Sequence, residues 1–377
     1  MTAMRAYPLI FLAALSCSPA TPDTTTNATA TEVAGTTRDP APATDPPADG
    51  AQDDHLRPVL GELKTFGDWT IGCDNGLACQ ANALVPEASN RDGYLLLLID
   101  RGGDPGSAAR LIVPLGDQPP ADPMLRVDGK PFARLTPGPD RTIATIPLDR
   151  ARAATLANGR TVTLASASNP SIDSASLTGL AAALLYMDDR QHRVGTTSAL
   201  VRPGAGTTTP PPALPIIATP VPATAPPRTL TVSAATKLIG PDNAFCDYAI
   251  GPVEPEAHRL DATHSLALVS HPCGNGAYNL FSSAFIVDEQ GRATPARFDA
   301  PPGIAEEDNG DIINGDWDAK AHRLTTYGKG RGIGDCGTTQ SFAWDGTGFR
   351  LADQSAMGEC RGSIDYIPVW RARTVPR

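Results

Sequence analysis

The side chains of this 377-residue chain with most to offer chemistry are seven cysteines, six histidines and an excess of carboxylates that leaves a net charge of -10. Such groups act only when spacing brings partners to them. Cys73, Cys79, Cys246, Cys273, Cys336 and Cys360 include no Cys-x-x-Cys pair, which argues against a zinc knuckle or a thioredoxin-like centre. His55, His192, His258, His264, His271 and His322 form neither His-x-His nor His-Glu-x-x-His, so no metal or other cofactor is expected. Asn314, Asp316 and Asp318 alternate as in a calcium loop. Ala319, however, stands where an EF-hand loop needs glycine, and Thr325 where it needs the closing glutamate, so a solvated acidic loop is expected. The turn Gly328-Lys329-Gly330-Arg331-Gly332-Ile333-Gly334 lacks the Lys-Ser/Thr ending of a phosphate loop. Lys329 and Arg331 are its candidate anion contacts. Asp188 and Asp189 are adjacent at a helix end, where two carboxylates do not face one another, so Arg190 and Arg193 are expected to compensate them. No Gly-x-Ser-x-Gly elbow occurs, which leaves open only a Ser, His and Asp set assembled across the fold.

The thiols read as structural. Residues 1–16 carry one positive charge at Arg5, an apolar run from Tyr7 to Leu15 and small residues before Cys17, the pattern of a secretion signal. Ala14-Leu15-Ser16-Cys17 resembles the bacterial lipobox, whose cysteine is lipidated after cleavage; the alternative is an ordinary cut after Ala20. Ser18 after the cysteine favours, by that resemblance, the outer membrane. Setting Cys17 aside leaves an even six cysteines for an oxidising space, and local pairing is the economical reading: Cys73 with Cys79, Cys246 with Cys273, Cys336 with Cys360.

Positioning these groups requires a β-rich frame. Residues 18–55 have no aromatic residue and read as a disordered Thr/Ala/Pro tether. Residues 202–228 hold nine prolines and read as an extended linker. Two domains follow, 56–201 and 229–377, mainly β with an α+β element, the second an antiparallel meander of blade-like hairpins. In the first, Phe66 to Gly72 reads as a half-buried strand leading into the Asn75-Gly76 turn. Asp149 can cap a short helix ending at Gly159, and an apolar stripe from Leu177 to Leu185 marks another helix starting near Ser176. In the second, Asp288-Glu289-Gln290-Gly291 and Asp345-Gly346-Thr347-Gly348 are hairpin turns.

Phe66-Gly67-Asp68-Trp69 with Cys73-Asp74-Asn75 and Cys79, the run Ala181 to Gln191, and Gly334-Asp335-Cys336-Gly337 followed by Trp344-Asp345-Gly346 resemble the exported bacterial family catalogued as domain of unknown function 1176. The first domain is also distantly similar to the invasion-associated locus B proteins. The first resemblance implies an envelope protein of proteobacteria and brings no established reaction or catalytic residue. An acidic chain is not expected to bind nucleic acid. Three functional classes are expected, in this order: a non-enzymatic lipoprotein of the periplasm and outer membrane that binds an envelope protein or glycan, a hydrolase of an envelope polymer, and an inhibitor or stress-protective module. Contact with the membrane would be through the lipid anchor alone. For the binding site, Trp317 between Asp316 and Asp318 is expected to present its indole at the surface, close to the turn of Lys329 and Arg331.

Overall fold

The stretch from Lys64 to Ala83 sets the frame of the first half. Here β1 (Lys64–Phe66), β2 (Trp69–Cys73) and β3 (Cys79–Ala83) form two successive hairpins, and Cys73 lies directly opposite Cys79 with the disulfide between them. The computed structural model describes residues 57–377 apart from 88, 90–92, 277 and 304–310. The signal segment, Cys17 and the 18–55 tether lie outside the described residues. Adding β4 (Leu98–Arg101), β5 (Arg110–Pro114) and β8 (Ile143–Pro147) gives a six-stranded antiparallel sheet in the order β1-β2-β3-β4-β5-β8. A four-stranded sheet, β10-β9-β6-β7, is built from β6 (Met124–Val127), β7 (Lys130–Arg134), β9 (Thr161–Ala165) and β10 (Asp173–Ser176). Trp69, Ile71, Leu111, Leu125, Leu164 and Leu184 meet in the first half's core. Each large apolar side chain buried in this way contributes about 1.5–3 kcal/mol.

Two helices complete this half. Asp149 caps α1 (Arg150–Ala157), accepting the Arg152 N–H at 2.8 Å, as the sequence predicts. The second, α2 (Leu180–Arg190), starts later than Ser176, because Asp173 to Ser176 are taken by β10. Gly179 turns the chain between them at φ +93°, and a Cβ there would fall 1.7 Å from the Phe66 carbonyl oxygen. No side chain fits.

The second half holds two five-stranded antiparallel sheets. One orders β12 (Pro255–Arg259), β13 (His264–Ser270), β14 (Phe281–Asp288) and β15 (Ala293–Pro295), with β16 (Asp311–Ile313) also on β14. The other is a meander of β17 (Asp316–Asp318), β18 (Arg323–Lys329), β19 (Gly337–Trp344), β20 (Phe349–Met357) and β21 (Ile367–Arg371). Leu266, Leu324, Phe342, Trp344 and Phe349 fill the space they share. Before β12, α3 (Val232–Ile239) and α4 (Pro241–Ala244) lead to Cys246, which is bonded to Cys273; Cys336 is bonded to Cys360. All three local pairings expected from the sequence are present.

Two expectations need correction. The Pro-rich stretch is not merely an extended linker: Ile216 to Thr219, a proline-free window within it, forms β11 (Ile216–Thr219) and pairs in parallel with β22 (Arg373–Pro376). Those four residues keep the N–H groups that the surrounding prolines lack. Upstream, Gly204 and Gly206 hydrogen-bond back onto Thr196 and Gly195 of the first half. The described residues belong to one compact unit. Strand β2, expected to be half-buried, is buried at all five residues, because β21 of the second half covers the side that α2 does not.

Candidate functional site

Trp317 is not at the surface. It lies in β17, opposite Leu324 of β18, and is only 8 % exposed. The His258 ring stacks on it at 5.9 Å and the His322 ring meets it edge-on at 6.1 Å. Strand alternation explains the correction: Asp316 and Asp318 point out on either side, which sends the residue between them inward. Asp318 spends one oxygen on the Lys320 and Ala321 N–H groups, both at 2.9 Å. Lys329 lies four residues beyond Thr325, the partner of Asp316, so the two ends of the expected site are separated by roughly 13 Å of strand. The Lys329 ammonium sits 5.7 Å from the Tyr278 ring centre and 5.3 Å from that of Tyr327. Arg331 is held bidentately by Asp335, with its Nε at 2.6 Å, and also donates to the Cys360 carbonyl at 2.7 Å.

The motif residues instead hold the two halves together. Arg361, next to Cys360, donates to the carbonyls of Val85 and Gly67 at 2.8 and 2.9 Å and to the Asp68 carboxylate at 2.5 Å. Asp335 accepts the Gly362 N–H at 2.7 Å, so Gly-Asp-Cys-Gly positions the loop that grips Phe-Gly-Asp-Trp. Asp74 binds the Arg371 guanidinium, and Asn75 exchanges two hydrogen bonds with the Arg371 backbone, at 2.8 and 2.9 Å. Asp188 is fully buried. It faces Arg101 at 3.3 Å and accepts the Leu200 and Val201 N–H groups at 2.8 and 2.9 Å, while Asp189 is exposed. Burial raises the Asp188 carboxyl above the ordinary range against the pull of those donors and of Arg101, and lowers Arg101 to about 10. Gln191 and Arg193 then cap carbonyls of the Leu77 turn and of residues 101–105. This network ties α2 to the Cys73–Cys79 hairpin, a positioning role.

One Ser, His and Asp set does assemble, from β14, Ser270's neighbour His271 and β16. His271 Nε2 is 2.8 Å from Ser283 Oγ and 3.8 Å from Asp311 Oδ1. Both contacts fall on the same ring nitrogen, whereas a relay needs the carboxylate on the other one. Burial also lowers the His271 pKa, with Asp311 opposing, which favours the neutral ring.

A cleft of about 500 Å³ opens where hairpin turns of the two second-half sheets meet, lined among others by His264, Asp288, Arg292, Thr294, Arg297 and Trp344. This is within the roughly 300–1,000 Å³ usual for ligand sites. Asp261, in the β12–β13 turn, accepts the Thr263 and His264 N–H groups at 2.8 Å on one oxygen and the Trp344 indole N–H at 2.7 Å on the other. Burial pushes this carboxyl up, but the Trp344, Thr263 and His264 hydrogen bonds outweigh it and bring the net shift below the ordinary range. His264 Nδ1 lies 3.0 Å from both oxygens. An ionised carboxylate only accepts, so the shared proton sits on Nδ1, and Nε2 is an acceptor whenever the ring carries that single proton. Across the hairpin Asp288 engages Arg292 through Nε at 2.7 Å. Arg297 is fixed by its backbone, whose carbonyl accepts the Phe349 N–H at 2.8 Å, and its guanidinium has no partner among the described residues. The sequence marks the turns at 288–291 and 345–348 but carries no spacing signal that unites His264 with Arg297. Among the described residues, no group of three or more His, Cys, Asp or Glu is arranged to hold a metal.

A mainly β, disulfide-bonded body whose motif residues serve its internal joint defines the class before any name does. Residues 63–377 match the family described as "Protein of unknown function (DUF1176)", and the chain belongs to it. An uncharacterised protein of Escherichia coli (strain K12), YpfG, is 30% identical over 337 residues, 82% of this chain and 93% of that protein. No solved structure matches.

Proposed function

We propose that the chain is an exported cell-envelope lipoprotein, anchored through Cys17, that binds an envelope glycan fragment in the His264–Arg297 cleft. The observation that carries the binding reading is this cleft, with an aromatic wall and a guanidinium that no described residue engages. Three disulfides suit an oxidising compartment, and none of the described helices is long and apolar enough to cross a membrane. Anchoring therefore rests on the residues around Cys17, and the length of chain after it suits a tether.

Two measurements test this. Mass spectrometry of the mature N-terminus should find acyl chains on Cys17; an unmodified start at Thr21 contradicts anchoring. Equilibrium dialysis against size-fractionated envelope glycan should show retention by the wild type and none by Thr294→Trp, whose exposed position on β15 lets an indole fill the cleft. Equal retention by both proteins removes the cleft from the account. A second reading, hydrolysis of an envelope polymer, draws on the orientation of His264 by Asp261. It requires turnover that His264→Gln abolishes.

A further inference from the structure

We propose that the ligand of this cleft is an acidic sugar, a hexose unit bearing a carboxylate or phosphate that Arg297 and Arg292 hold while a sugar hydroxyl donates to His264 Nε2. The inference rests on the cleft being the binding site and adds the chemistry of what enters it.

The charges lining the cleft carry the argument. Arg292 is committed to Asp288 through Nε alone, and no other nitrogen of its guanidinium has a described partner. Arg297 has none at all among the described residues. A guanidinium carries five N–H donors and no acceptor, and these two have most of theirs to spare. Planar carboxylate or phosphate oxygens satisfy such forks best. Asp288 is occupied by the Gln290 and Arg292 N–H groups, both at 2.9 Å, and by Arg292 Nε. Asp261 is occupied by Trp344, Thr263 and His264 and is 7 % exposed. The acidic groups of the cleft are thus spent on protein donors, and the basic ones are not. The whole chain is acidic at -10, so this local surplus of cation donors runs against its general balance.

His264 adds the neutral part of the recognition. Its Nδ1 proton is fixed on Asp261 and its ring meets Trp344 edge-on at 5.5 Å, so the ring cannot turn without breaking both contacts. Its Nε2 has no described partner and, in the neutral ring, accepts. A ligand must offer a donor there, which a sugar hydroxyl does and an anion without a hydroxyl, such as sulfate, does not. Thr294 also lines the cleft.

The test is titration calorimetry of the full mature protein with glucuronic acid oligosaccharides, the matching neutral glucose oligosaccharides, glucose 6-phosphate and inorganic sulfate. Both acidic sugars should bind roughly tenfold or more tighter than the neutral ones, and Arg297→Gln should remove that advantage. His264→Gln should weaken acidic sugar and leave sulfate unaffected. Equal affinity for neutral and acidic sugars, blocked alike by Thr294→Trp, overturns the acidic-ligand inference and leaves the cleft reading intact. Binding of acidic sugars that Thr294→Trp leaves unchanged overturns the cleft and the inference together. Binding of phosphatidylglycerol vesicles, but not of either acidic sugar, would assign the guanidinium pair to a lipid headgroup and also overturn it.

Discussion

Asp188 is held between Arg101, Arg193 and two backbone N–H groups with no exposed surface, so the outcome of changing it follows from what is left behind. In Asp188→Asn an amide faces Arg101 and the buried guanidinium loses its counter-charge. The expected loss is about 3–5 kcal/mol by denaturant unfolding. Trp317→Ala should cost about 3–5 kcal/mol, since the ring is 8 % exposed among His258, His322 and Leu324; an unchanged melting temperature would restore the surface reading. His271 yields a pH prediction. Its folded pKa lies below the ordinary 6.5 of the unfolded chain, so between those two values the unfolded state binds more protons. Stability is complete above the unfolded pKa and is lost as pH falls through 6.5 towards the folded value. Melting curves between about pH 7 and about pH 5 should therefore fall more steeply for the wild type than for His271→Gln. At this scale the sequence reveals that Asp188 needs compensation by arginine. It cannot reveal Arg101, which ends strand β4 and reaches Asp188 on α2 only once the sheet has closed.

The Cys336–Cys360 bridge and the Arg361 grip are one device at the level of elements, because the disulfide fixes the start of the loop that crosses to Asp68 and Val85. Replacing both cysteines by serine should cost about 2–5 kcal/mol and raise hydrogen exchange across residues 358–366 and at Asp68 together. Exchange that rises in the loop alone would separate the two. Hairpins marked by Asp-Gly and Asn-Gly turns are legible because the turn chemistry is local, as are the three cysteine pairs. Strands β6, β7 and β10 are not, since short segments with mixed burial carry little alternation; β6 itself is only four residues. Strand β11 is hidden by the prolines that flank it, and its partner β22 lies at the far end of the chain.

For the whole molecule, the joint between the halves decides what cleavage does. A protease site inserted between Pro210 and Pro211 should give two fragments that co-elute under native conditions, held by the Arg361 and Arg371 contacts, yet separate in denaturant without reductant, because no disulfide crosses between them. Fragments that part in native buffer would show the halves to be independent. Composition and local pattern convey a β-rich, disulfide-bonded chain but not this joint, since residues nearly 300 apart form it. The cleft is equally non-local: His264, Arg297 and Trp344 come from separate hairpins of two sheets. Its role as the ligand site is the central claim, and hydrogen exchange with and without the retained glycan tests it most directly. The turns at 261–264, 288–292 and 345–348 should gain protection together while the Asp316–Asp318 strand and the Gly328–Gly334 turn stay unchanged. Protection confined to residues 316–334, or spread evenly over the molecule, would contradict it.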